Sequence, residues 1–168
     1  MYREIVTKAV VGKGRISNNN EAIVVPLNKP SKVLGCWIIN HYCVCSYEND
    51  GAVAKGKYDL HIWYGFDNDR DTIIHKQTVE YIETFILKMK NNEFLSEEND
   101  LLIKCLKYPT CTSLNLKDDG SISVSIEKEL VLDVIGETTL KVQVGGLNDD
   151  EWVNNDDIDN INVDYLNK

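Results

Sequence analysis

Three histidines are the side chains of this chain that titrate near neutral pH, so any acid–base chemistry must begin with them: His41, His61 and His75. The best placed is His61, because Asp59 precedes it by two residues and alternate residues of a strand share a face. Catalysis by such a pair requires a nucleophile held beside the histidine, and the surrounding sequence supplies none. We therefore interpret His61 as a surface or interface histidine and predict that the protein is not an enzyme.

The five cysteines do not form a recognisable metal or disulfide pattern: Cys36, Cys43, Cys45, Cys105 and Cys111. The Cys43–Cys45 spacing is too short for a zinc knuckle, and no second cysteine or histidine pair completes a set of four ligands. We predict reduced and mostly buried thiols, with Cys43 and Cys45 as the candidates for exposure. Gly12 and Gly14 lack the third glycine of a dinucleotide-binding turn. Because the chain has neither a zinc-ligand pattern nor such a turn, we expect no metal and no cofactor.

Acidic residues are concentrated at the C-terminal end, which has seven carboxylates and one lysine from Asn148 onward. Their order is not that of a calcium-binding loop, which needs alternating acids, a central glycine and a terminal glutamate. Apolar residues interleaved with acids can instead dock on a partner, although a purely solubilising tail stays open. The partner-binding residues predicted on this basis are Trp152, Tyr165, Leu166, Asp149, Asp150 and Glu151.

The net charge of −9 argues against two classes of partner, nucleic acids and anionic membranes, because both are bound by clustered Lys and Arg. No apolar run approaches the length of a membrane span, so we expect no membrane insertion. The N-terminus also lacks the apolar core of a signal peptide, which predicts synthesis in a cytoplasm.

The elements that must position these residues are mostly strands. Clear alternation runs through residues 56–66, with Tyr58, Leu60, Ile62 and Tyr64 on one face. Asp50-Gly51 predicts a tight hairpin turn before that strand. Further strands are expected at residues 3–11, 22–25, 38–47, 72–89, 111–116, 122–126 and 138–144. A helical turn is predicted from Ser31 and a helix over residues 96–107, with Leu101, Leu102, Cys105 and Leu106 on its apolar face.

These elements predict a mainly β fold, an antiparallel β-sandwich or two packed sheets with one or two short helices and an acidic C-terminal tail. We divide the chain into a β-rich domain at residues 1–146 and a tail at 147–168. A weak echo of turn and strand signals about seventy residues apart leaves open two related halves, about 1–70 and 71–146. The strands at 22–25 and 138–144 are candidate edges for pairing between copies.

Four blocks of this chain together resemble the outer spore-coat morphogenetic proteins of the CotE family: Tyr2–Arg15, Pro30–His41, Gly56–Tyr64 and Val134–Val142. The resemblance implies a structural protein made in the mother-cell cytoplasm during sporulation and carried into the outer coat. It also implies self-association and binding of other spore-coat proteins. The Asn- and Asp-rich tail departs from the family pattern, which leaves partner specificity there open.

The competing interpretation is a β-module that binds a small ligand such as a carbohydrate. Trp63 and Tyr64 would line its cleft by stacking on a sugar ring. The alternation of the strand argues for a different arrangement, in which one of the two aromatic residues packs in the core and the other is exposed as an interface residue.

Overall fold

The computed structural model describes residues 1–145, except for the side chain of Asn92. Its elements are β1 Tyr2–Val24, β2 Pro30–Glu48, β3 Gly51–Phe66, β4 Asp71–Phe85, β5 Leu87–Met89, a 3-10 turn at Lys90–Asn92, β6 Asp100–Leu116 and β7 Ile122–Gln143. The six predicted acidic-tail residues, from Asp149 to Leu166, lie outside the described residues.

The strands form two sheets, one with the order β5-β1-β7-β6 and one with the order β2-β3-β4. Neighbouring strands whose register is defined run antiparallel, as in the β2–β3, β3–β4 and β6–β7 pairs. The mainly β, antiparallel two-sheet prediction is therefore confirmed.

Alternation along the two most buried strands builds the core. On β3, Leu60, Ile62 and Tyr64 are almost fully buried, while Lys57 and Trp63 point away from the interior. On β7 the buried positions repeat every second residue: Ile122, Val124, Ile126, Leu130, Leu132 and Val134. This period of two is the pattern of strands with one face against a core.

The core is divided into two clusters. One contains Leu60, Ile62 and Val124, and the other contains Ala52 and Leu130. Between these clusters the apolar row is interrupted on both sheets, by Gly56 on β3 and by Lys128 on β7. The Tyr81 side chain fills the space above Gly56, where a Cβ atom would lie 2.3 Å from the tyrosine Cζ.

The hairpin between β2 and β3 turns at Asn49 and Asp50, both with positive φ (49° and 61°). Asn and Asp tolerate this left-handed region better than most residues, so the predicted tight turn is present. Gly120 (φ 87°) closes the turn before β7, where its N–H donates to the Lys117 carbonyl over 2.9 Å.

The helix predicted over residues 96–107 is wrong. Residues 96–99 form a turn in which the Asn99 N–H donates to the Ser96 carbonyl, and β6 begins at Asp100. Leu101, Ile103 and Cys105 pack inward, whereas the predicted apolar-face residue Leu106 is 61% exposed. Burial in this segment therefore repeats every second residue, as in a strand. Pairing with β7 outweighs the local helix signals of the sequence.

The helical turn predicted from Ser31 is also wrong, since β2 starts at Pro30, which pairs with Phe66. The Ser31 hydroxyl instead accepts a hydrogen bond from the Asp69 N–H over 3.1 Å and contacts the Asp69 carboxylate. A side chain that was expected to cap a helix thus fixes the loop between β3 and β4.

The chain divides into two compact units. Lys8–Glu137 contains the core described above. In the other unit, as far as residue 145, the first residues of the chain pair with the last described ones. There the Val144 N–H donates to the Met1 carbonyl over 3.0 Å, and Lys141 lies 3.7 Å from Glu4.

The close approach at Gly56 generates a first prediction. Gly56→Ala forces the Tyr81 ring out of its site, and we expect a loss of about 1–3 kcal/mol in the free energy of unfolding, as for other overpacked interiors. Gly51→Ala is the matched control, because the nearest atom to its added Cβ lies at 3.5 Å. Urea unfolding of both variants measures the difference, and equal midpoints for the two would contradict this account of the core.

Candidate functional site

The outward face of the three-stranded sheet carries an exposed aromatic group. Trp37 on β2 and Trp63 on β3 stack with ring centroids 6.2 Å apart and remain 49% and 39% exposed. Ile39 extends this group along β2, and Ile74, the β4 partner of Trp63, extends it across the sheet. We call these four residues the tryptophan patch. Exposed aromatic residues beside aliphatic ones are typical of protein interfaces.

The same sheet ends in an edge strand, β4, whose outer side pairs with no other strand among residues 1–145. β4 pairs with β3 without a register shift over its full 15 residues and is the last strand in the order on its side. The opposite margin, β2, has three register shifts against β3. Only β4 therefore offers this sheet a regular row of backbone N–H and C=O groups for another strand.

A buried polar cluster lies between the two halves of the core. The Lys128 ammonium, 4% exposed, is 2.7 Å from Glu83 Oε1 and 4.4 Å from the Tyr81 ring centroid. Glu83 also accepts a hydrogen bond from Asn18 Nδ2 over 2.8 Å. The Tyr81 hydroxyl lies 2.6 Å from His41 Nε2. We call these five residues the lysine cluster.

The protonation states in this cluster follow from burial and from Lys128. Desolvation, reinforced by the Lys128 charge, holds the pKa of His41 below its ordinary value. Burial, with a further contribution from a hydrogen bond to Cys43, raises the pKa of Tyr81 far above its ordinary value. At neutral pH the tyrosine is therefore protonated and the histidine uncharged. The cluster thus holds one ion pair inside an apolar core, an arrangement that fixes side-chain geometry.

The predicted Asp59–His61 pair shares one strand face as expected, but Asp59 is bonded to other residues. Its carboxylate accepts hydrogen bonds from Asn40 Nδ2 (2.8 Å) and Thr78 Oγ1 (2.7 Å). These two bonds hold the pKa of Asp59 below its usual range, ahead of a smaller effect of His61. The aspartate thus ties β2 to β3 and β4 rather than orienting the histidine.

The carbohydrate cleft predicted between Trp63 and Tyr64 is not formed. Tyr64 is 1% exposed in the core, whereas Trp63 lies on the outward face of the same strand. Adjacent residues of a strand point to opposite faces, so the two rings do not line one cavity.

The five cysteines are all half-buried free thiols. Cys43 and Cys45 share a strand face, as predicted, but that face packs against the core cluster of Ala52 and Leu130 rather than lying open. Among residues 1–145, no group of three or more His, Cys, Asp or Glu side chains is arranged to hold a metal ion. The described residues also include no helix long and apolar enough to cross a membrane.

The family model described as outer spore coat protein E (CotE) matches residues 1–168, the full sequence. No curated protein and no solved structure matches the chain.

The Lys128–Glu83 pair generates a second prediction. Glu83→Gln leaves a buried ammonium without its counter-charge, and we expect a loss of about 3 kcal/mol in the free energy of unfolding. Asp100→Asn is the control, because it removes one partner of the exposed Lys8–Asp100 pair, whose loss should change the free energy of unfolding far less. Denaturant unfolding of both variants measures the two losses, and similar values would show that Lys128 does not depend on its partner.

Proposed function

The chain belongs to the outer spore coat protein E (CotE) family, and from this premise we propose that it is a structural morphogenetic protein of the spore coat that self-assembles and recruits outer-coat proteins. In this proposal it is made in the mother-cell cytoplasm, becomes part of the outer coat and catalyses no reaction. The observation that carries the proposal is the open edge of β4, because a coat platform must first bind copies of itself.

The β4 edge has few of the features that proteins use to prevent strand pairing. Its sequence, Asp71–Phe85, contains no proline and one lysine, Lys76, and its pairing with β3 shows no bulge. At about 3.3 Å per residue, the strand offers an edge of about 50 Å. A long and regular edge of this kind is a template for a strand of another chain.

The outward side chains of β4 are complementary to themselves. When two β4 strands pair antiparallel about Thr78, Lys76 of each copy lies opposite Glu80 of the other. In the same register Ile74 lies opposite Ile82. Opposite charges directly across a sheet contribute about 0.2–1 kcal/mol per pair, and the facing isoleucines bury apolar surface. Two-fold symmetry makes every such pair occur twice.

Neighbouring registers lose this match. If the pairing is centred on Gln77, Ile74 lies opposite Glu80, and if it is centred on Val79, Lys76 lies opposite Ile82. The register centred on Thr78 is thus selected by side chains, and it joins two three-stranded sheets into one of six strands.

Recruitment of other coat proteins is assigned in this proposal to the tail. Its acidic residues keep it soluble and favour a basic partner, while Trp152, Tyr165 and Leu166 supply apolar anchors. The tryptophan patch adds a second apolar surface on the globular part, on the outward face of the sheet that β4 terminates.

The register predicts a charge-exchange experiment. Lys76→Glu alone places like charges opposite each other in the symmetric pair, and so does Glu80→Lys alone. Each variant should weaken self-association about tenfold or more, because two repulsive pairs replace two attractive ones. Sedimentation or light scattering over a concentration series measures the dissociation constant. Lys13→Glu, which makes the same change in net charge on β1, is the control and should leave the constant unchanged.

A mixture of the two single variants should recover association, because glutamates of one copy then face lysines of the other. The double variant with both changes should recover it alone, with the two charges exchanged. A wild-type chain that stays monomeric at high concentration contradicts self-assembly altogether. If the single variants associate as tightly as the wild type, or if the mixture associates no better than either variant alone, only the proposed β4 register is contradicted.

The tail generates a separate prediction. A chain ending at Gly146 should keep the melting temperature and the dissociation constant of the full chain, but it should lose binding to at least one purified outer-coat protein. Binding of the full chain should weaken as salt rises, since acidic residues contribute the attraction. Pull-down at two salt concentrations tests both points, and a truncated chain that unfolds or no longer self-associates would show that the tail is structural.

A further inference from the structure

All five cysteines lie on two strands that belong to different sheets. Cys36, Cys43 and Cys45 are on β2, and Cys105 and Cys111 are on β6. Each of these strands forms the margin of its own sheet, and the two margins lie against each other. We call this contact line the seam.

The two strands run in opposite directions along the seam. The Tyr47 hydroxyl donates to the Ser96 carbonyl at one end, and His41 meets the edge of the Tyr108 ring 5.7 Å away in the middle. As the residue number rises along β2 it therefore falls along the segment that contains β6. This direction brings Cys36 to the level of Cys111.

Cys36 and Cys111 meet inside the sandwich. Both pack against the core cluster that contains Leu60 and Val124. The Cys111 thiol lies close enough to Cys36 to contribute to its raised pKa, and it donates a hydrogen bond to the Ser113 carbonyl over 3.4 Å. The seam brings them together although 74 residues separate them in the sequence. β2 and β6 are not neighbours in a hydrogen-bonded sheet, so side chains alone hold the two margins together at this point.

We propose that Cys36 and Cys111 are a disulfide-forming pair that covalently joins the two sheets across the seam when the protein meets a low-molecular-weight disulfide. A disulfide has a Cα separation of about 4.4–6.8 Å, and the close approach of β2 and β6 along the seam places the two cysteines on one core cluster. It links the three-stranded sheet to the four-stranded sheet within one copy and leaves β4, at the far margin, open.

The reaction is a two-step exchange that balances without any other reagent. One protein thiolate attacks a sulfur of the small disulfide, which forms a mixed disulfide and expels one small thiol. The second protein thiolate then attacks the protein sulfur of that mixed disulfide, forms the Cys36–Cys111 bond and expels the second small thiol. The small disulfide accepts the two electrons, and the two thiol protons end on the two small thiols.

The second set of facing thiols on the seam is less suited to the reaction. Cys43 and Cys105 line one cavity together with His41 and Tyr108, so open space lies beside them. The Cys43 thiol also lies close enough to Tyr81 of the lysine cluster for that residue to influence its pKa. Forming a bond there would draw Cys43 away from Tyr81, whereas the Cys36–Cys111 bond gives up only the hydrogen bond that Cys111 donates to the Ser113 carbonyl.

The reaction should be slow at neutral pH and faster in alkali. Burial, with a smaller contribution from Cys111, raises the pKa of Cys36 to about 12. Since the thiolate is the attacking species, the rate should rise by up to about tenfold per pH unit between pH 7 and pH 9.

The test exposes the full-length protein to an excess of a small disulfide at pH 8.5, quenches with an alkylating reagent and maps the linked peptides by mass spectrometry. We expect an intramolecular Cys36–Cys111 peptide and the loss of two hydrogens from the intact mass. The midpoint of thermal unfolding should rise by at least about 5 °C, because the bond closes a long loop of the unfolded chain. Reduction should reverse both changes.

Single variants separate this pair from the other thiols. Cys36→Ser and Cys111→Ser should each abolish the linked peptide and the rise in midpoint, whereas Cys45→Ser should change neither. A dominant Cys43–Cys105 peptide, an intermolecular link, or oxidation that stops at mixed disulfides on Cys36 or Cys111 would each overturn the proposal. These readouts concern the monomer, so they do not depend on whether the protein self-assembles.

Discussion

The buried ion pair between Lys128 and Glu83 is the constraint on which the rest of the structure depends. It lies where an apolar residue would continue the row Ile126–Leu130, and it divides the core into two clusters. A buried ammonium requires a partner, so the position of Glu83 on β4 is fixed relative to β7. The register of the outer strand of one sheet is thereby tied to a central strand of the other.

This tie affects the surface through β4. Because the inward residues Tyr81 and Glu83 are held by the lysine cluster, the outward residues between and around them keep a defined spacing along the open edge. A two-residue slip of β4 would move Glu83 away from Lys128 and Tyr81 away from the space above Gly56. The buried ion pair thus fixes the register of β4, and with it the spacing of side chains along the edge. Apolar packing alone would specify that register less strictly.

Elements with a local pattern are predictable from the sequence, whereas elements whose conformation depends on partners distant in the sequence are not. The alternation in residues 56–66 and 122–126 gave the correct faces, because a period of two is visible without knowing the partner strand. The segment 96–107 was predicted as a helix, because Leu101, Leu102 and Cys105 fit both periods and only pairing with β7 separates them. The lysine cluster was missed, although Lys128 between Ile126 and Leu130 is a visible break in an apolar row.

The candidate surfaces show the same division. An exposed Trp63 followed from strand alternation, but its stacking on Trp37 depends on the β2–β3 register. The open edge of β4 could not be predicted, since strand order in a sheet is set by contacts between distant segments. The three register shifts of β2, finally, limit the proposed assembly by strand addition. With one margin irregular and held against β6, the three-stranded sheet would add one strand only, at β4, so the proposed contact closes at a pair and growth into a layer would require a geometrically different contact.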